Sequence, residues 1–216
     1  MRHTPAAQTT RHPADRALRV GLTGGIGAGK STVAALLEAR GAVVTSADEV
    51  SRDVVSPGSD GLAAVVAEFG DGVLASDGSL DRSALGRLVF SDDLSRARLE
   101  EILLPLIAAE AWARMETVPA GQVAVYDVPL LVEGQMQDMF DLVVVVEADL
   151  ELRLKRLAQR GMDREHALAR VASQATDEER RAVADVVLSN SGAIDELEAD
   201  VDRLWTTRIM APETIA

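Results

Sequence analysis

The sequence contains no cysteine. A disulfide framework, a thiolate metal site and a cysteine nucleophile are therefore excluded. Aromatic residues make up only 3% of the chain, so aliphatic side chains must fill the interior. Two of the three histidines, His3 and His12, fall in the N-terminal segment, which argues against a histidine-rich metal site. No apolar run approaches the roughly 18 residues that a membrane-crossing helix needs. The segment before Arg19 lacks the apolar centre of a secretory signal, so a cytoplasmic protein is expected. Positive charge is scarce as well: the net charge is −13. Nucleic acid is thus not an expected partner, because binding it needs clustered cations. A phosphorylated small molecule is not excluded by that charge, since a local pocket of backbone N–H groups can hold a phosphate.

What is present is a globular composition, 47% hydrophobic over 216 residues, enough for one α/β domain with insertions or two small domains. Arg19 to Thr23 reads as a strand, Ser31 to Arg40 as a helix stopped by Gly41, and Ala42 to Thr45 as a second strand. These form a strand–loop–helix–strand unit, expected to hold two parallel strands with the second beside the first. Residues 49–118 read as mainly helical, with turns at Ser56-Pro57-Gly58 and Asp77-Gly78-Ser79. Gln122 to Asp127, Leu142 to Val146 and Ala184 to Asn190 read as further strands. A long arginine-rich helical segment is expected over 150–181, and Ile194 to Arg208 as a closing helix. The aliphatic strands suit a buried parallel sheet with helices on both faces.

Gly24-Gly25-Ile26-Gly27-Ala28-Gly29-Lys30-Ser31 fits Gly, any four residues, Gly, Lys, Ser or Thr, between a strand and a helix. Glycines let the backbone turn its N–H groups inward, and the helix N-terminus adds partial positive charge. The expected ligand is ATP with Mg²⁺, bound through Gly25, Ile26, Gly27, Ala28, Gly29, Lys30, Ser31 and Thr32. Lys30 can reach the β- and γ-phosphates, and the Ser31 hydroxyl can ligate Mg²⁺. The alternative, a Gly-rich turn that binds nothing, does not account for the Lys-Ser-Thr that follows it.

The loop alone does not separate kinases from GTPases or motor ATPases, although no Asn-Lys-x-Asp guanine-reading motif is present. Asp48, just past the second strand, is either the base that takes a proton from an acceptor hydroxyl or a strand-end cap. Position does not decide between them. Asp127 either supports a metal or is a turn residue before Pro129, and the turn is slightly favoured. Arg153, Arg156, Arg160 and Arg164 recur at intervals of three and four, as on one helical face. They either clamp transferring charge from a closing lid or form a solvated face paired with Glu147, Asp149 and Glu151. Spacing alone favours the solvated face.

Taken together, residues 19–208 resemble the dephospho-coenzyme A kinase family. The resemblance is carried by Val20 to Ser31, Ala47 to Arg52, Asp77 to Arg82, Asp127 to Glu133 with its Pro-Leu-Leu-x-Glu pattern, Arg156, Arg160, Gln174, and Asn190-Ser191-Gly192. It implies a P-loop three-layer fold with a core (19–48, 120–150 and 182–208), a helical acceptor-binding region (49–118) and a lid (151–181). Tails are expected over 1–18 and 209–216. It implies transfer of the ATP γ-phosphoryl to the ribose 3′-hydroxyl of dephospho-coenzyme A. Asp48 is then the base, Lys30 the phosphate ligand and Arg156 the lid cation. Arg160 and Asn190 belong to the nucleotide side, and Arg82, Leu130 and Glu133 to the acceptor side. The chain departs from the family pattern at Ser46, usually Asp, at Leu104, usually His, and at Arg153, often Gln. Rival readings are another small-molecule kinase, a nucleotide-dependent regulatory protein, or a family member that turns over poorly. Nothing in the sequence sets an oligomeric state.

Overall fold

In the computed structural model, residues 13–210 are described. They divide into two compact units, one of residues 13–44 and 115–210 and the other of residues 45–114. The first unit carries most of a five-stranded sheet in the order β2-β3-β1-β4-β5. The strands are β1 Leu18–Gly24, β2 Val43–Ser46, β3 Val123–Asp127, β4 Leu142–Glu147 and β5 Val186–Ser189. The pairs β1–β3, β1–β4 and β4–β5 are parallel. One sequence expectation fails here: β2 does not neighbour β1, because β3 lies between them. Sequence order alone does not reveal that a later strand is inserted between the first two.

The first unit's helices are α1 Lys30–Glu38, α6 Leu150–Gln159, α7 Arg164–Ala172, α8 Asp177–Val183 and α9 Ile194–Leu204, the last continued by a π-helical turn, Trp205–Ile209. Alternate strand residues face α1 and α9: Leu18, Val20 and Leu22 of β1, Val123 and Val125 of β3, and Leu142, Val144 and Val146 of β4. They pack with Val33, Leu37, Leu197, Val201 and Leu204. The opposite face is approached by Phe140 and Leu131, which lie so close to Gly21 that a side chain there would displace them. The expected long helical segment over 150–181 is three helices, started afresh by Asp163, which accepts from the His166 amide, and by a Thr176–Glu179 capping box.

The second unit is helical: α2 Ala47–Asp53, α3 Asp60–Phe69, α4 Arg82–Ser91 and α5 Asp93–Glu116, which runs two residues past the unit's end. Ser59 and Asp81 cap α3 and α4 by accepting backbone amides. Val55, Val65, Val73 and Leu85 form its own buried cluster. Leu74 and Leu80 close an antiparallel bridge around the Asp77–Ser79 turn, where Asp77 accepts from the Ser79 amide.

The tail expected over 1–18 is ordered at its described end: Ala17 is buried, Leu18 starts β1 and Arg16 is ion-paired with Asp141 at 2.6 Å. Residues 1–12 of that tail lie outside the described residues, as do 211–216 of the C-terminal one. Ile209, placed in the latter, is fully buried. No helix among the described residues is long and apolar enough to cross a membrane.

Leu22 has no exposed surface and sits where three strands and α1 meet. Leu22→Ala should lower unfolding free energy by about 2–5 kcal/mol, the cost of an emptied core site. Urea denaturation measures this, and a loss under about 1 kcal/mol would contradict the packing described.

Candidate active site

Parallel pairing aligns the C-terminal ends of β1, β3, β4 and β5 along one edge, where ligands of open α/β sheets bind. Register then places the chemistry. Asp127, last in β3, pairs with Leu22, two residues before the Gly-rich loop begins. Asn190 follows β5 directly, its amide bound to the Glu147 carbonyl at 2.7 Å. Lys30 opens α1, and its Nζ is bonded to the Asp127 carboxylate. The sequence left Asp127 open between a metal-supporting role and a turn. The structure puts it, nearly buried, on the lysine.

The loop's peptide groups split into two sets. Their carbonyls are occupied. Ile26 O accepts from Arg153 Nε at 2.9 Å. Gly27 O and Ala28 O accept from Arg156 at 3.4 and 3.2 Å, and Ala28 O also from Asn190 Nδ2 at 2.8 Å. The amides of Gly27, Gly29, Lys30 and Ser31 have no acceptor among the described residues. Unpaired N–H groups at a helix start are an anion site. The Ala28 amide instead closes a turn on Gly25 O, and the Ile26 amide donates to Gln174 Oε1 at 2.8 Å. Ile26, expected among the phosphate-binding backbone, thus has both peptide groups engaged within the protein.

Two glycines are dictated by what lies beside them. Gly29 caps α1 with φ +95°, and a Cβ there would collide with Asn190 Nδ2. At Gly25 a Cβ would come 2.7 Å from Arg153 Cζ. The loop is therefore packed from behind by α6.

Arg156 also donates to Asn190 O and Oδ1, at 3.0 and 3.3 Å. It is fixed between loop and sheet edge. A cavity of about 300 Å³ adjoins it, lined by Gly29, Thr32, Arg156, Gln159, Arg160, Asn190, Gly192 and Ile194. Thus Thr32, Arg156, Arg160 and Asn190 are brought to one cavity, while the Lys30 ammonium lies at Asp127 on the end of β3. The single arginine face expected from spacing is not formed. The helix ends at Gln159, leaving Arg160 at its C-cap, and Arg164 opens α7 and forks onto Glu151 at 2.8 and 3.0 Å. Glu133, expected on the acceptor side, is tied internally, accepting from the Ala175 amide at 2.7 Å and lying 3.8 Å from Arg180. Leu130 is exposed. In the other unit, Asp48 is exposed in the first turn of α2, and Arg82 is exposed at the start of α4.

Sequence reasoning missed the contact that Arg153 makes. Only 3% of its surface is exposed, so burial pulls its guanidinium below the usual range while Asp177, at 3.3 Å, opposes that. A signal existed: Arg153 stands next to Leu154 and one turn before Leu157, the two apolar residues that α6 buries, where a solvated cation has no place.

A parallel α/β sheet, a Gly-rich loop entering a helix, and a lysine beside an acidic strand end define a P-loop nucleotide-binding protein. The sequence model described as dephospho-CoA kinase matches residues 18–196. A relative from Frankia casuarinae named dephospho-CoA kinase is 56% identical over 186 residues, covering 86% of this chain and 81% of that one. One from Thermobifida fusca, of the same name, is 48% identical and covers 87% and 94%. The solved dephospho-CoA kinase of Campylobacter jejuni superposes with a TM-score of 0.66 at 26% identity, over 86% of this chain and 94% of that one. The chain belongs to the dephospho-CoA kinase family and is an ATP-dependent kinase.

Gly29→Ala adds a Cβ both at positive φ and against Asn190. Strain of about 1–3 kcal/mol at such a site predicts a loss of roughly tenfold or more in ATP affinity. Calorimetric titration reads it, and unchanged affinity would mean that the loop conformation does not govern binding.

Proposed function

We propose that this chain transfers the γ-phosphoryl group of ATP to the ribose 3′-hydroxyl of dephospho-coenzyme A, giving coenzyme A and ADP. The supporting observation is the set of unpaired amides at Gly27, Gly29, Lys30 and Ser31, heading α1 beside a lysine. Family membership supplies the acceptor. The β- and γ-phosphates sit on these amides and on Lys30, which exchanges its Asp127 contact for phosphate oxygen. The adenosine end takes the cavity lined by Thr32, Arg156, Arg160 and Asn190. Arg156, held beside the loop by the Gly27 and Ala28 carbonyls, is the cation for charge spreading onto the transferring group, and Arg160, exposed at the end of α6, borders the cavity on the nucleotide side.

Mg²⁺ fits the donor set, which offers the Ser31 hydroxyl and, once Lys30 moves to phosphate, the Asp127 carboxylate; both are hard oxygens of the kind it prefers. When bound, it supplies neutralisation of the β- and γ-phosphate charge. Asp48 takes the proton from the acceptor hydroxyl as that oxygen attacks phosphorus, and the β-phosphate oxygen leaves on ADP. Arg82, Leu130 and residues 49–118 serve the acceptor, residues 151–181 close over the nucleotide, and Glu133 acts through the backbone of Ala175 that it holds. The enzyme works in the cytoplasm, where its nucleotide is supplied. Ser46 and Leu104, at positions that the family usually fills with Asp and His, are tolerated variations in this scheme.

A coupled ATP-consumption assay with Mg²⁺ should show turnover with dephospho-coenzyme A and a product heavier by one phosphoryl group, but none with adenosine or AMP. ATP binding without transfer to dephospho-coenzyme A would reject this acceptor. Lys30→Ala and Asp48→Asn should each lower kcat by roughly 10²–10⁴, the range for a lost catalytic group. A variant with unchanged kcat removes its residue from the mechanism.

A further inference from the structure

Ile26 is held from three sides. Its carbonyl accepts from Arg153 Nε at 2.9 Å and its amide donates to Gln174 Oε1 at 2.8 Å. Its side chain packs against the cluster of Leu154, Leu157 and Ala167 in the α6–α7 region. The two polar partners come from different places, one on α6 and the other between α7 and α8. They are themselves connected. Arg153 pairs with Asp177, which also pairs with Arg180 at 3.2 Å. Arg180 faces Glu133 at 3.8 Å, and Glu133 accepts from the Ala175 amide, next to Gln174. The chain of contacts thus leaves Ile26 through one polar group and returns through the other.

Burying two guanidiniums in this chain of contacts is costly. Arg180 is 1% exposed, and its Nε and Nη2 have no hydrogen-bond partner among the described residues. A purely stabilising role would be served as well by apolar residues in the same space. What Arg153 does that an apolar residue cannot is donate to, and fix, a carbonyl of the Gly-rich loop, while Arg180 holds the Asp177 that Arg153 pairs with.

We propose that Arg153 and Gln174 are positioning residues that clamp the Ile26 peptide, and that this clamp keeps the amides after it turned toward the nucleotide phosphates. Neither side chain touches the nucleotide. Arg153 holds the carbonyl outward, Gln174 removes the Ile26 amide from competition, and the next free amides, from Gly27 onward, begin the phosphate-binding surface. The inference rests on the loop being the site for ATP, and not on the identity of the acceptor.

The test is direct binding of ATP and ADP without acceptor, followed by steady-state kinetics, for Arg153→Met, Arg153→Gln and Gln174→Ala. Gln174 is only half-buried, so Gln174→Ala keeps the fold even where the change at buried Arg153 does not. Arg153→Met and Gln174→Ala should each raise the ATP Kd and KM about tenfold or more, with a smaller change in kcat and KM for dephospho-coenzyme A within twofold of wild type. Arg153→Gln, which keeps an N–H donor, should recover most of the loss. An ATP Kd unchanged in folded Gln174→Ala, or Arg153→Gln binding as weakly as Arg153→Met, would overturn the clamp. If transfer to dephospho-coenzyme A failed in the wild type, the binding series would still decide the clamp.

Discussion

The site depends on the direction of a few peptide groups. A phosphate needs N–H groups, and each peptide that offers one must send its carbonyl elsewhere. Here the carbonyls of Ile26, Gly27 and Ala28 are each taken by a side chain, Arg153, Arg156 and Asn190 respectively or jointly. The amides of Gly27, Gly29, Lys30 and Ser31 stay available. The loop is thus set before nucleotide arrives, and binding need not bear the full entropy of ordering it.

The rest of the first unit serves that arrangement. The β1–β3 register delivers Asp127 to Lys30, and β5 delivers Asn190 to the loop. Helix α6 follows β4 and lays Arg153 and Arg156 along the back of the loop; Arg153 leaves Gly25 no room for a side chain, and Asn190 leaves Gly29 none. Both arginines donate to neutral carbonyls, so much of their charge is left for nearby anions. Arg153 spends its share on Asp177, while Arg156 and Arg160 border the cavity next to the loop.

Much of this was legible in the sequence. The loop motif, its strand and helix, and the aliphatic runs of β3 and β4 carry local periodicity and spacing, which do not depend on the rest of the chain. Asp127 and the arginines did not resolve, because their roles are set by partners about 97 and 127 residues away in sequence, at Lys30 and Ile26. Helical spacing aligned Arg153 to Arg164 on one face, but Gly161 and the Asp163 cap break the segment and send Arg164 to Glu151. Strand order was out of reach for the same reason: β3 inserts beside β1 through pairings that no local pattern announces. Glu133 illustrates a further limit. Family pattern marks it, but only the fold shows that it holds the Ala175 amide beside the residue bonded to Ile26.

Residue-resolved amide exchange by NMR, with and without ATP, tests the central claim most directly. The account predicts that the Ile26 amide is protected in the free protein, held by Gln174. The amides of Gly27, Gly29, Lys30 and Ser31 should exchange fast there, slow sharply with ATP or ADP, and stay fast with adenosine. Equal protection of all five amides in the free protein, or no slowing on ATP, would contradict a loop whose carbonyls are tied back to free its N–H groups for phosphate.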